Sequence, residues 1–184
     1  AHLFSGLAKA LPNENVAYFA QSGKLPVADG ADMSRLIDRV AHDPNIKTVI
    51  VNAFWAPVGV PEAQLVETLK TLTDAGKTVF VTDDVPSFPF APDQCKYGFS
   101  PLLPIERCTQ SAENFSEIYD SYYPALQAAV NQVPGATLLN TAKNFCSDDT
   151  CSMTQNGTLL YADDDHVNHQ GSEYLFDELF TDNK

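Results

Sequence analysis

The chain has 184 residues, 44% of them apolar and 19% charged, enough for one domain with a full core. Eleven Lys+Arg against 24 Asp+Glu leave a formal charge of −13, which repels phosphate backbones and anionic membranes and excludes nucleic acid from the expected partners. The longest apolar stretches, such as residues 48–60, are broken by Asn52, Pro57 and Gly59 and fall short of the roughly 20 residues of a membrane-spanning helix, so the domain is not expected to span a membrane.

In chain order, Leu3, Phe4, Leu7, Ala8 and Leu11 recur with the period of an amphipathic helix. A short strand is expected over residues 16–20 and a loop over 21–26. The stripe Met33, Leu36, Ile37 and Val40 then predicts a helix that stops before Asp43-Pro44. Residues 47–51 are β-branched and almost continuously apolar, the pattern of a strand buried on both faces of a parallel sheet, with Asn52 at its C-terminal end. A helix over about 61–75 carries Leu65, Leu69 and Leu72 on one face, with Pro61 in its first turn and Gly76 as its stop. Residues 78–81 form the next buried strand, and strand, helix, strand with short connections is the signature of parallel βαβ units.

Residues 83–111 break this pattern with five prolines and several aromatics, and a connection that long is usually functional or stapled. A long helix over about 112–132 turns Phe115, Ile118, Tyr119, Tyr122, Leu126 and Val130 inward. A strand follows at 136–139, then either a hairpin strand or an approach to a turn at 158–161, and a last helix over about 168–180. With no repeat or linker, residues 1–184 read as a single domain. The expected fold is α/β, a three-layer α/β/α sandwich around a flavodoxin-like parallel sheet.

The four cysteines fall into two local couples in loop-like sequence, Cys95 with Cys108 and Cys146 with Cys151. Two disulfides closing short loops are the simple reading, although four cysteines allow three connectivities and spacing does not choose among them. Free thiols and a zinc site are the rivals, and zinc is disfavoured by the lack of any CxxC. Disulfides place the domain in an oxidising compartment, the bacterial periplasm or the cell exterior.

The most informative stretch runs from Leu160 to Ser172 and sets Asp163 three residues before His166, just ahead of a helix. In a turn that spacing can bring the carboxylate to imidazole Nδ1, leaving Nε2 to take a proton from a serine, the role logic of a hydrolytic triad. Asp164 and Asp165 are too close in sequence to do this as naturally. His169 could join His166, Asp163 and Asp165 around a divalent ion, but three consecutive aspartates cannot all face one ion, and no metal is expected. Asn52, at the C-terminal edge of a parallel strand where α/β folds bind ligands, can offer its amide to a developing oxyanion. Its plain alternative is a strand-end polar cap. His42 reads as a helix-end residue near the C-terminal dipole.

The order of features resembles the SGNH-hydrolase-like domain at the C-terminus of acyltransferase-3-type membrane O-acyltransferases of bacterial envelopes. The pieces are the His2 to Leu7 helix start, Ser22-Gly23-Lys24-Leu25-Pro26, Val49 to Trp55, Asp84-Val85-Pro86 with the cysteine loop behind it, the Cys146 to Cys151 couple, and Tyr161 to Asn168 running into Gly171. The resemblance spans nearly the whole chain, and the last block is its specific part. It implies Asp163 and His166 as triad partners of the serine in a Gly-Asp-Ser block, which occurs nowhere in these 184 residues and is expected with its strand immediately before Ala1. Ser5 and Ser22 are weak stand-ins.

The same resemblance places Gly23 on the loop of an oxyanion-hole glycine and Trp55 as a wall of the acyl or sugar site, with a buried anchor as the alternative for Trp55. It implies transfer or hydrolysis of an O-acyl group, acetyl foremost, on a cell-envelope polysaccharide. The acyl donor would come through a membrane-embedded domain of the same polypeptide, and no metal or organic cofactor is implied. The expected location is periplasmic or extracytoplasmic, tethered to the inner membrane in the full-length protein. The competing readings are a non-catalytic glycan-binding module, a free-standing secreted carbohydrate esterase and a metal-dependent hydrolase.

Overall fold

The computed structural model describes residues 3–21, 23–96 and 108–181. In chain order its elements are α1 (Phe4–Ala10), α2 (Gly30–His42), β1 (Thr48–Val51), α3 (Glu62–Asp74), β2 (Thr78–Thr82), α4 (Pro92–Lys96), β3 (Thr109–Ser111), α5 (Ala112–Asn131), β4 (Ala136–Leu139), β5 (Thr150–Ser152), β6 (Thr154–Gln155), β7 (Thr158–Leu159) and α6 (His169–Thr181), with a 3-10 turn at Ala142–Asn144. They fall into two compact units, one drawn from residues 20–84 and 118–140 and the other from 1–19, 85–117 and 141–184.

The first, the sheet unit, is built on β1, β2 and β4, whose β-branched and apolar residues favour a pleated, buried surface. The strands are parallel in the order β1-β2-β4. Their register sets Val49 beside Val79 and Val51 beside Val81, then Val79 beside Ala136 and Val81 beside Leu138. Because side chains alternate with a period of two, these six share one face. They join one core with Met33 and Ile37 of α2, Leu65, Leu69 and Leu72 of α3, and Tyr122, Leu126, Ala129 and Val130 of α5. Parallel neighbours need a crossover, and α3 supplies the one between β1 and β2. The result is the expected mixed α/β fold with a parallel sheet.

The helix ends follow local chemistry. The α2 helix stops at Asp43, held extended at ψ 114° because a residue before proline is pushed out of the helical region. At the end of α3, Gly76 takes φ +78°. Its N–H donates to Thr73 O at 2.9 Å and that of Lys77 to Leu72 O at 3.1 Å, the paired bonds of a Schellman stop. Lys77 Nζ reaches the carbonyls of Asp43 and Ile46 at 2.7 and 2.8 Å, tying the α2–β1 loop to this corner. The α5 helix keeps Pro124 in its interior, which deprives the Asp120 carbonyl of its usual donor.

The second, the His166 unit, packs α1 against α6. Gly6 N–H donates to Ser172 Oγ at 2.8 Å, and a Cβ at Gly6 would lie only 2.0 Å from the Ser172 carbonyl oxygen. Both cysteine couples form disulfides, Cys95–Cys108 and Cys146–Cys151. The connection read as one long loop also contains α4 and β3, and β3 pairs antiparallel with β5, Gln110 opposite Cys151. The alternative of a hairpin strand near residue 158 holds: β6 and β7 pair around Asn156 and Gly157 at φ 50° and 78°, the positive φ values that a two-residue hairpin turn demands.

The strand expected over 16–20 does not form. These residues join no ladder, and Tyr18 and Phe19 are exposed. Strand propensity without a partnering edge does not make a strand. Tyr18 instead meets Phe4 edge to face.

Candidate active site

The chain between β7 and α6 is shaped by backbone pairing before any side chain acts. Tyr161 and Val167 bridge antiparallel, and Ala162 N–H donates to His166 O at 2.8 Å, so residues 163–165 form the tip of a tight turn. Asp163 Oδ1 accepts the N–H of Asp165 at 3.1 Å and of His166 at 2.7 Å, the local capture that makes aspartate a turn former. Asn168 secures the base of the turn by donating Nδ2 to Leu159 O and Tyr161 O at 2.8 and 3.2 Å. Its Oδ1 accepts Gly171 N–H at 2.9 Å, capping α6. Phe88 N–H holds the Asp164 carbonyl at 2.8 Å.

This turn brings the expected pair together: both oxygens of Asp163 lie 3.0 Å from His166 Nδ1. It also brings in Asp165, whose Oδ1 is 2.6 Å from the same nitrogen. Adjacency in sequence argued against that contact, but the tight turn folds the Asp165 side chain back over the ring. Carboxylates only accept, so Nδ1 carries the proton and the Nε2 lone pair is the basic one. His169 turns away, with Nε2 at 3.0 Å from Glu173 Oε1.

The two carboxyls are perturbed in opposite directions. Burial pushes Asp163 up, but the N–H groups of Asp165 and His166 and the imidazole outweigh it and hold the group below its ordinary value. Burial also pushes Asp165 up, and the neighbouring Asp163 carboxylate adds to this against the attraction of His166, leaving it above its ordinary value. Beneath the turn, Tyr161 is buried between Phe88 and Phe145, edge to face at 5.0 and 5.5 Å. Burial drives its phenol well above the ordinary range.

Among the described residues, one atom from each of Asp163, Asp165 and His166 lies within 4.8 Å of the others, and these are the ones that could hold a divalent ion. A protonated Nδ1 has no lone pair for a metal, so an ion taken through Nδ1 would displace the proton that Asp163 accepts.

The sheet unit carries Gly23, Asn52 and Trp55. Asn52, exposed at the end of β1, commits one amide N–H to Thr82 Oγ1 at 2.7 Å. Trp55 is fully buried and anchors this corner: Nε1 donates to Thr82 O at 2.9 Å, and its backbone N–H to Asp84 Oδ1 at 2.9 Å. As a wall against substrate it is therefore corrected to a core anchor, because no ring surface reaches solvent. Gly23, at φ +71°, lines an open cavity of about 410 Å³ with Lys24, Asp29 and Gln64.

The sequence reading assigned no site role to several residues that hold these corners together. Asp84 closes the loop after β1 by accepting Ala56 N–H at 2.8 Å as well as that of Trp55. Tyr119 Oη donates to Asp83 Oδ2 at 2.9 Å, and burial, then the Asp83 charge, raises the Tyr119 phenol beyond its normal range. The available signal was an acidic pair directly after a buried strand, where charge persists only if partnered. Ser5 lies half-buried in the first turn of α1, and His42 Nδ1 sits 2.7 Å from Asp38 O at the end of α2. Ser22 and His2 lie outside the described residues.

Among the described residues no helix is long and apolar enough to cross a membrane. No curated protein matches the chain significantly. The solved structure of the periplasmic domain of a Salmonella ser. Paratyphi A lipopolysaccharide acetyltransferase is similar over 98% of this chain and 78% of that one, with a TM-score of 0.63 and 17% identity, a likeness of fold. The family model for the SGNH domain fused to AT3 domains matches residues 1–180. With that match over nearly its whole length and the SGNH-like fold beneath it, the chain belongs to the family of SGNH domains fused to AT3 domains.

Proposed function

We propose that the chain supplies the base and the orienting carboxylate of a serine-dependent acyl transfer that moves or hydrolyses an O-acyl group, acetyl foremost, on a cell-envelope polysaccharide. The observation that carries this reading is His166 Nδ1 held at 3.0 Å from both oxygens of Asp163. That contact fixes the tautomer whose Nε2 accepts a proton. The acetyltransferase activity of the Salmonella protein with the similar fold supports the acyl chemistry.

In the reaction, serine Oγ attacks the acyl carbonyl while Nε2 takes its proton, which gives a tetrahedral oxyanion. Collapse expels the donor oxygen, which takes the proton back, and leaves an acyl-serine. An acceptor hydroxyl or water then attacks the acyl carbon, with Nε2 again removing the proton and returning it to serine Oγ. We assign the oxyanion donors to Gly23 N–H and the Asn52 amide, a role worth about 10²–10³ in kcat per donor.

The reaction requires a nucleophilic serine, for which the family resemblance implies a Gly-Asp-Ser block, and no such block occurs in these 184 residues. Residues 1–184 act as one SGNH-type domain on the periplasmic side, with the acyl donor delivered by the membrane-embedded AT3 domain to which such domains are fused. The net charge of −13 disfavours a strongly anionic glycan as acceptor.

The test compares cleavage of a chromogenic acetyl ester by this chain, by a longer protein in which a Gly-Asp-Ser block precedes it, and by that longer protein carrying His166→Ala. Turnover by the longer protein alone, abolished by His166→Ala and indifferent to chelator, is the expected result. Equal, background cleavage by all three sinks the proposal and leaves a glycan-binding module.

A further inference from the structure

We infer that Asp165 is a second positioning residue for His166, its carboxylate acting on the imidazole by charge at Nδ1 while Nδ1–H is hydrogen-bonded to Asp163. Its catalytic consequence rests on the proposed role of His166 as general base. Asp165 Oδ1 stands 2.6 Å from Nδ1, against 3.0 Å for each Asp163 oxygen. Asp163 Oδ1 is also engaged by two backbone N–H groups, at 2.7 and 3.1 Å. Its first task is therefore the turn itself, and the ring receives only part of its accepting capacity.

Asp165 is placed to do more for the ring. Its side chain is 24% exposed, against 49% for Asp163, so water screens its charge less. Its backbone is fixed by donation to Asp163 Oδ1, and the Asp164 carbonyl before it is fixed by Phe88 N–H. The imidazolium that forms when Nε2 takes a proton therefore faces two anions, Asp163 through hydrogen bonds and Asp165 through charge alone at 2.6 Å. Neither carboxylate is then indispensable alone, whereas a triad with one orienting carboxylate loses about 10⁴ in kcat when that group is neutralised.

Two readouts test this. On the 184-residue chain, nitrogen-15 spectra of the His166 ring report which nitrogen carries the proton. Asp165→Ala is expected to weaken the low-field Nδ1–H signal and raise the Nε2–H tautomer, and Asp165→Asn, which preserves size, gives the same direction if the alanine variant is poorly folded. On the longer protein with its nucleophile block, Asp165→Ala and Asp163→Asn are each expected to lower kcat by less than about 10⁴ with KM little changed, and only the double variant to reach that loss. Asparagine at 163 keeps an oxygen for the turn's N–H groups.

The inference is overturned if Asp165→Ala and Asp165→Asn leave the tautomer unchanged. It is equally overturned if Asp163→Asn alone costs the full loss. A longer protein without esterase activity would refute the proposed function, while the ring spectra would still decide this inference.

Discussion

Replacing Gly6 with alanine puts the close packing of α1 on α6 to the test, because two effects of opposite sign compete there. On an exposed helix, Gly→Ala stabilises by about 1 kcal/mol through backbone entropy. At Gly6 the new methyl would sit 2.0 Å from Ser172 O, 2.3 Å from Ser172 C and 2.5 Å from Ser172 Oγ. Restoring ordinary contact requires α1 to retreat by well over 1 Å, and the 2.8 Å bond from Gly6 N–H to Ser172 Oγ is lost with it. Overpacking costs about 1–3 kcal/mol and a lost hydrogen bond about 0.5–1.5 kcal/mol. After subtracting the helix gain, Gly6→Ala is expected to destabilise by about 0.5–3.5 kcal/mol. For a chain of this size that is a fall in Tm of roughly 1–14 °C. Urea titration followed by far-UV circular dichroism measures it, and Ser172→Ala, which removes the hydrogen bond without the clash, should fall between wild type and Gly6→Ala. A Gly6→Ala protein more stable than wild type would refute the packing argument.

Asn168→Ala removes the cap of α6 together with both carbonyl contacts to the strand before the turn. The cap alone is worth about 0.5–2 kcal/mol, so both urea stability and esterase kcat should drop, with hydrogen exchange rising in residues 159–168. The pH dependence follows from the lowered Asp163: its stabilisation is present above the unfolded value of 3.8 and is lost as pH falls through the lower folded value. Asp163→Asn should therefore flatten the acid limb of the stability profile below about pH 4. Asp165, raised in the fold, works in the opposite sense and opposes folding at neutral pH, so Asp165→Asn should gain stability at pH 7 relative to pH 3. Urea midpoints across that range check both signs.

Legibility in the sequence tracked how local the cause was. The β-branched runs at 47–51 and 78–81, the Leu65, Leu69 and Leu72 face, and the Gly76 stop could all be read, because burial periodicity and positive φ are written within a few residues. Asn156-Gly157 carried an equally local hairpin signal, and the structure gives it that role. Residues 16–20 misled because a strand is a pairwise object, and their composition said nothing about a neighbour. The Asp163 to His166 spacing was legible as a pair, but Asp165 was discounted, since distance along the chain is a poor guide once a turn reverses it.

What the sequence determined by itself was the set of surfaces to be buried: the parallel strands, the helix stripes covering them, and a carboxylate three residues before a histidine. These follow from side-chain alternation and helical period, which need no knowledge of the rest of the fold. Only the tertiary structure decided which polar atoms meet. Asp165 reaches His166 Nδ1, Trp55 is sealed against Thr82 and Asp84, and Gly6 admits Ser172 to the backbone of α1. Each contact depends on dihedral angles accumulated through turns and on the demand that buried donors find acceptors. Those conditions are satisfied by the whole packed chain, so no single segment announces them.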